Sequence, residues 1–365
     1  MNLYIDVHVL QSLPPNCLNR DDTGSPKTAM YGGARRARVS SQAWKRAMRV
    51  MFADNFDKSE LSMRTKYIFD MIADEVQKLD PNLDRSQAIK YAEDVMAKVE
   101  VKPTKDKKSS DTKLDALFFL SHQQAKNLAA LALGKIGDKD DKKAITEAIK
   151  SNSGIDLALF GRMVAANQEL NTDACAQVAH AISTHRVENE YDYFTAVDDL
   201  VDDPDSQVAK TDAGASHIGT AEFSSATLYR YATVAVGNLR KELGQAMITQ
   251  QAVREFARAF VCSIPTGRQN TFAAHTTPDA VLVCLRTDRP LNLAGAFESP
   301  VRGEGIMMRS CEALEKYALE AYEDFCTKPQ HSYVVGRHLG KLGERLTLDE
   351  MLHNLENAVG ERLAP

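Results

Sequence analysis

The sequence predicts an α+β protein whose centre is a ferredoxin-like sheet of the RNA-recognition-motif type. Alternating apolar residues mark strands near 3–11, 178–188, 226–236 and 280–287. Apolar residues at helical spacing mark helices over 41–52 and 249–262. With two long excursions set aside, the order is β-α-β-β-α-β, the ferredoxin-like order. At 365 residues the chain exceeds one ordinary domain, so we expect the excursions to be functional lobes.

In the first strand Leu3, Ile5, Val7 and Val9 point one way and Tyr4, Asp6 and His8 the other. Ser40 and Ser41 are N-cap candidates for the first helix. In it Trp44, Ala47, Met48, Met51 and Phe52 form one apolar stripe, while Gln42, Lys45, Arg46 and Arg49 share another face. Residues 57 to about 175 are helical and charged, broken by Lys-rich stretches near 102–113 and 134–143. An acidic stretch over about 196–215 is the second excursion. Val253, Phe256, Ala257, Phe260 and Val261 fall at helical spacing, and helices carrying Leu314, Tyr317, Ala318 and Ala321 follow from about 305.

Hydrophobic content of 44% is ordinary for a globular protein, and no apolar run approaches the roughly 18 residues a bilayer span needs. The opening MNLYIDVHVL alternates like a strand and lacks a basic segment, so we do not expect a signal peptide. The six cysteines are scattered without a CxxC pair, which suits the reducing cytoplasm. No metal or other cofactor is expected.

Charge is the most local signal. Arg20, Lys27, Arg35, Arg36, Arg38, Lys45, Arg46 and Arg49 stand against only Asp21 and Asp22, a net +6 that leaves −11 for the rest of a chain of formal charge −5. A solvated face is the ordinary explanation of such a run. Here the cationic stripe lies beside a helix N-terminus, where backbone N–H groups already favour anions, so a nucleic-acid backbone is the expected partner. The Gly32-Gly33 turn is too short for a nucleotide-binding fingerprint. His180 and His185 are assigned to packing or hydrogen bonding, and Asp21 and Asp22 to capping the basic loop or orienting Arg20.

Seven segments in order, CLNRDD (17–22), GGARRARVSSQAWKRAMR (32–49), GRM (161–163), AHAISTH (179–185), YFTAVDDL (193–200), HIGTAEFSS (217–225) and YRYA (229–232), closely resemble the CasC-type backbone subunits of type I-E CRISPR Cascade complexes. The resemblance covers the first fifty residues and most of 154–300. It implies a modified ferredoxin-like (RRM-like) palm with an inserted helical fingers domain and a thumb loop. The divisions are palm over 1–56, 178–188 and 226–365 (the last with C-terminal helices), fingers over 57–177 and thumb over 189–225. It implies no enzymatic activity. Copies, about six, would stack along one CRISPR RNA beside other Cascade subunits and meet target DNA through the guide, with no membrane involved.

By the same resemblance Arg20, Lys27, Ser40, Gln42, Lys45, Arg46 and Arg49 match guide-backbone contacts. Tyr193, Phe194 and Thr195 match the thumb wedge that displaces one base, with Met163 as the apolar partner opposite and His217 on the returning arm. On spacing alone Met163 and Phe194 would be core residues. Lys142, Lys143 and Arg302 match DNA-contacting positions, although Thr146, Glu147 and Glu304 depart from the family's basic pattern. The stretch after Leu200 is longer and more acidic than the family's.

Two alternatives stand beside this reading. One is a backbone subunit that cleaves target RNA with a metal and a loop aspartate such as Asp21, Asp22 or Asp199. The other is a generic single-strand RNA chaperone.

Overall fold

The computed structural model describes residues 2–105, 112–136, 141–196 and 217–364, so most of the acidic excursion and much of both Lys-rich breaks lie outside the described residues. In chain order the strands are β1 (Tyr4–Asn16), β2 (Thr28–Tyr31), β3 (Ala34–Val39), β4 (Ser62–Thr65), β5 (Thr104–Lys105), β6 (Thr112–Lys113), β7 (Phe118–Ser121), β8 (Ala176–Val178), β9 (Ala181–Ser183), β10 (Glu190–Ala196), β11 (His217–Ala235), β12 (Ala280–Arg286), β13 (His331–Gly336) and β14 (Glu344–Leu346). The helices are α1 (Ser41–Asn55), α2 (Ile68–Leu79), α3 (Arg85–Ala97), α4 (His122–Ala132), α5 (Lys142–Lys150), α6 (Ile155–Phe160), α7 (Val236–Leu243), α8 (Ala246–Cys262), α9 (Gln269–Phe272), α10 (Ile306–Asp324) and α11 (Leu348–Leu363).

One sheet dominates, in the order β14-β13-β12-β1-β11-β9-β3-β2, with β8 and β10 also pairing β11. All of its pairings are antiparallel except β13 with β14. Val7 sits opposite Ala232 on one side and Val283 on the other, so β1 is the central strand. Its alternation decides which core each residue joins. Leu3, Ile5, Val7 and Val9 meet Trp44, Met48 and Phe52 of α1, Phe256 and Phe260 of α8, and Met351 and Leu355 of α11. Burial of each such side chain is worth about 2–3 kcal/mol before entropy is counted.

The opposite face is covered too. Leu10, Leu282, Phe297 and Leu314 enclose it. Asp6 and His8 on this face are fully buried and hydrogen-bonded. Tyr231 donates to Asp6 at 3.0 Å, the Leu291 N–H donates to Asp6 at 2.8 Å, and His8 Nδ1 is hydrogen-bonded to Tyr229 at 2.9 Å. Burial holds Asp6 near 6, above the usual carboxylate range, against those hydrogen bonds, and drives His8 down to about 3.

The inserted lobe has its own core, built from Phe69, Ile72 and Val76 of α2, Ala92 and Met96 of α3, Leu128 of α4 and Ile145 and Ile149 of α5. It is not purely helical, since β4 pairs β7 and β5 pairs β6.

Four expectations change. The basic loop is largely a hairpin, β2–β3, in which Gly32 has φ +55° and a Cβ there would collide with the Glu298 carbonyl. The strand expected at 178–188 is split into β8 and β9, with His180 between them. The strand expected at 226–236 begins at His217 and pairs with Glu190–Ala196 as a ribbon, β10–β11, continuous with the central sheet. The C-terminal region adds β13 and β14 to the sheet edge besides its helices. In each case pairing partners distant in sequence decide the boundary, which local alternation cannot report.

Candidate nucleic-acid interface

The cationic stripe is positioned by its own helix. Ser40 Oγ accepts the Ala43 N–H at 3.3 Å, and the Ser40 N–H donates to Asn19 Oδ1 at 2.9 Å, so the helix start is tied to the loop ahead of it. Trp44, Met48 and Phe52 are buried, which turns Gln42, Lys45, Arg46 and Arg49 outward. Trp44 is locked by the Arg230 guanidinium 3.8 Å from its ring centre. Arg230 is itself buried and donates to Gln11 at 2.7 Å and to the Phe260 carbonyl.

The outward residues enter a cleft of about 690 Å³ between α1 and the inserted lobe. Gln42, Lys45, Arg46 and Arg49 form one wall. Arg64, Phe119, Phe160 and the Gly161–Met163 turn face them, with Asn171, Thr172 and Asp173 at one side. Lys45 lays its ammonium 5.5 Å from the Phe160 ring centre, and partial desolvation lowers its pKa. Arg49 is already occupied. Its Nε donates to Asp156 at 2.9 Å, its Nη2 to the Ser62 carbonyl at 3.2 Å, and its guanidinium covers the Phe119 ring at 4.5 Å. Asp156 also accepts the Ser62 N–H at 2.7 Å; burial pushes its pKa up, and Arg49 opposes that.

Met163 projects into solvent, 86% exposed, beside a buried neighbour. Arg162 donates to the carbonyls of Leu170 at 3.0 Å, Phe119 at 2.9 Å and Ile149 at 3.1 Å. Three chain segments thus converge on one guanidinium, which also lies 5.1 Å from the Phe118 ring centre. Burial lowers the Arg162 pKa to about 10, still protonated at neutral pH, and the nearby α5 C-terminus favours the positive charge. Gly161, at φ +73°, lets the turn pass where a Cβ would strike the Thr172 carbonyl.

The remaining basic residues lie around the hairpin. Arg36 is fully buried and donates to the carbonyls of Tyr31, Ser183, Phe297 and Glu298, so its charge is interior and the surface track is thinner than the residue count. Arg38 is 3.0 Å from His180 Nδ1, and burial and that cation lower the His180 pKa. Lys27 lines a small crevice with Arg38 and Asn19, while Arg20 bridges to Pro26 at its edge. Asp21 closes the adjoining turn by accepting the N–H groups of Thr23 and Ser25, each at 3.0 Å. His185 accepts the Thr227 N–H at 3.1 Å.

Tyr193, Phe194 and Thr195 are exposed on the β10–β11 ribbon, and Phe194 lies across Gly219, where a Cβ would touch its ring. His217 pairs with Ala196 at the end of that ribbon. Tyr193, Phe194 and Thr195 do not line the α1 cleft. Arg302 lies in a second cleft, about 1200 Å³, with Arg35, Arg186, Tyr191, Glu188 and Glu222. On α5, Lys142 faces Glu100 at 3.7 Å and Lys143 is exposed. Asp198 and Asp199 lie outside the described residues. Among the described residues no three His, Cys, Asp or Glu side chains gather as a metal-holding group, and no helix is long and apolar enough to cross a membrane.

Arg64, Arg162 and Asp156 were missed at the sequence level. Only GRM (161–163) offered a signal; Arg64 and Asp156 are single charges whose neighbours are distant in sequence.

The fold is shared with solved structures. A chain of a "CRISPR RNA-guided surveillance complex, pre-nicking" is 35% identical, with 96% of this chain and 100% of that one covered at a TM-score of 0.81. A chain of another "CRISPR RNA-guided surveillance complex" is 29% identical, covering 96% and 99% at 0.70. No curated protein sequence matches the chain. The family model described as "CT1975-like protein" matches residues 5–359, nearly the whole length, and the chain therefore belongs to the CT1975-like family of Cas proteins.

Proposed function

We propose that this chain is the CRISPR RNA-binding backbone subunit of a type I-E Cascade effector. The observation that carries the reading is the α1 cleft, where Gln42, Lys45 and Arg46 face an exposed Met163, in a chain 35% identical to part of an RNA-guided surveillance complex. Non-specific cations suit a protein that must accept any guide sequence, because base pairing then does the reading. The strand sequence β12-β1-β11-β9 is the 4-1-3-2 order of a ferredoxin-like sheet and supports an RRM-like palm.

In this reading copies assemble head to tail along the guide, about six by family resemblance, beside other Cascade subunits. Target DNA is met through the guide. Phe194 and Tyr193 wedge aside one base per subunit. Because they do not line the cleft that holds Met163 in their own chain, the thumb of one copy reaches the cleft of the next. Open head-to-tail contacts of this kind need the RNA and other subunits to set their number. The subunit is not an enzyme; its role is to hold and space the guide.

The test is the nucleic acid that copurifies with the complex. Sequencing is expected to return RNAs of uniform length carrying a CRISPR-repeat-derived end. Mixed cellular fragments would favour a general RNA chaperone instead. Cleavage of complementary RNA at regular intervals in Mg²⁺ or Mn²⁺ would contradict the non-catalytic role. Phe194→Ala is expected to leave the RNA bound while nuclease footprints on the guide lose their periodicity. An unchanged footprint would remove the wedge assignment.

A further inference from the structure

We propose that the phosphate track leaving α1 is continued by Arg64 of the fingers, and that Arg49 is the clamp that holds the Arg64 strand against α1. This rests on the RNA-binding reading above and assigns its cations different tasks. Arg49 has two of its three guanidinium nitrogens committed, one to the buried Asp156 and one to the Ser62 carbonyl, with its planar face on Phe119. Its charge is matched by that carboxylate, so little of it is left to attract a phosphate. An arginine held on both its edge and its face is a structural fastener.

Arg64 stands where the lost charge is needed. It follows Ser62 by two residues on β4, so the two side chains share a face of that strand. Its partner across the β4–β7 pair is Phe119, the same ring that carries Arg49. Arg64 is exposed and lines the cleft with Lys45 and Arg46. The exposed cations therefore run from α1 over the Arg49–Asp156 pair onto the fingers. A strand lying there would be held from both sides of the cleft. Close packing marks the join: at Gly154, just before α6, a Cβ would strike Ser62 Oγ and the Leu61 carbonyl carbon.

The experiment uses the full chain and a labelled single-stranded RNA of mixed sequence, titrated at several salt concentrations. Each phosphate contact contributes about 0.7 to the slope of log affinity against log salt on a single strand. Arg64→Ala is expected to lower the slope by about that amount and Arg64→Lys to preserve it. Amide hydrogen exchange on the protein alone reads the clamp: Arg49→Met is expected to speed exchange across residues 62–65, and Arg64→Ala to leave it unchanged. A wild-type slope in Arg64→Ala, or wild-type exchange over 62–65 in Arg49→Met, overturns the proposal while the RNA-binding reading stands. Wild-type protein that binds no RNA at any salt overturns both.

Discussion

Reversing the charge at Lys45 and Arg46 together is expected to strip the guide from the protein. Both side chains leave α1 on its outward face, and neither is ion-paired among the described residues. Each reversal removes a phosphate partner and adds a repulsive carboxylate. At roughly 1–2 kcal/mol apiece, Lys45→Glu with Arg46→Glu should weaken RNA binding by about 30- to 900-fold at moderate salt. The helix itself should survive, since Trp44, Met48 and Phe52 hold it from the opposite face. Lys45 also rests on Phe160, where a carboxylate sits badly, so the neutral pair Lys45→Gln and Arg46→Gln is the gentler control. That pair is expected to bind more tightly than the reversed pair and more weakly than wild type, with a shallower salt dependence. Binding by the reversed pair within threefold of wild type in the same titration would remove the α1 cleft from the RNA path.

The second large effect concerns stability. Arg162→Met keeps an unbranched apolar stem, shortens the side chain and removes all of its donors. The carbonyls of Leu170, Phe119 and Ile149 then lose a buried charged partner. Breaking such a buried charged network costs about 3–5 kcal/mol. Denaturant unfolding followed by circular dichroism would measure it. Arg162→Lys retains the charge without the planar fork, so it should recover only part of the loss. Because Arg162 also fixes the turn that presents Met163, exchange at the amides of 161–164 should rise in both variants. A loss below 1 kcal/mol in Arg162→Met would show that the three carbonyls find other partners and that the turn is held elsewhere.

Much of this architecture is legible in the sequence. Alternation in β1 assigns Leu3, Ile5, Val7 and Val9 to one face, and they do pack together against α1. The spacing of Trp44, Met48 and Phe52 orients α1 and hence Lys45 and Arg46. These are local signals: a helix or strand repeats with a known period, and one buried face dictates the other. The hairpin β2–β3 is less legible. Its arginines read as one basic run, yet strand alternation sends Arg35 outward and Arg36 into the interior, where four carbonyls surround it. A count of charges could not distinguish the two.

The cleft required the tertiary structure. Lys45 and Arg46 come from one helix, but Arg64, Phe119 and Met163 reach it from strands and turns up to 118 residues further on. Asp156 is 107 residues from Arg49, and their ion pair decides which cation is left facing solvent. The periodicity of this chain determined its helices, its central strands and the outward face of α1, because those depend on neighbours a few residues away. Which charges stay exposed, where the sheet ends and how the inserted lobe meets the sheet and α1 were decided only on folding, because desolvation and pairing act between groups that the chain brings together from far apart.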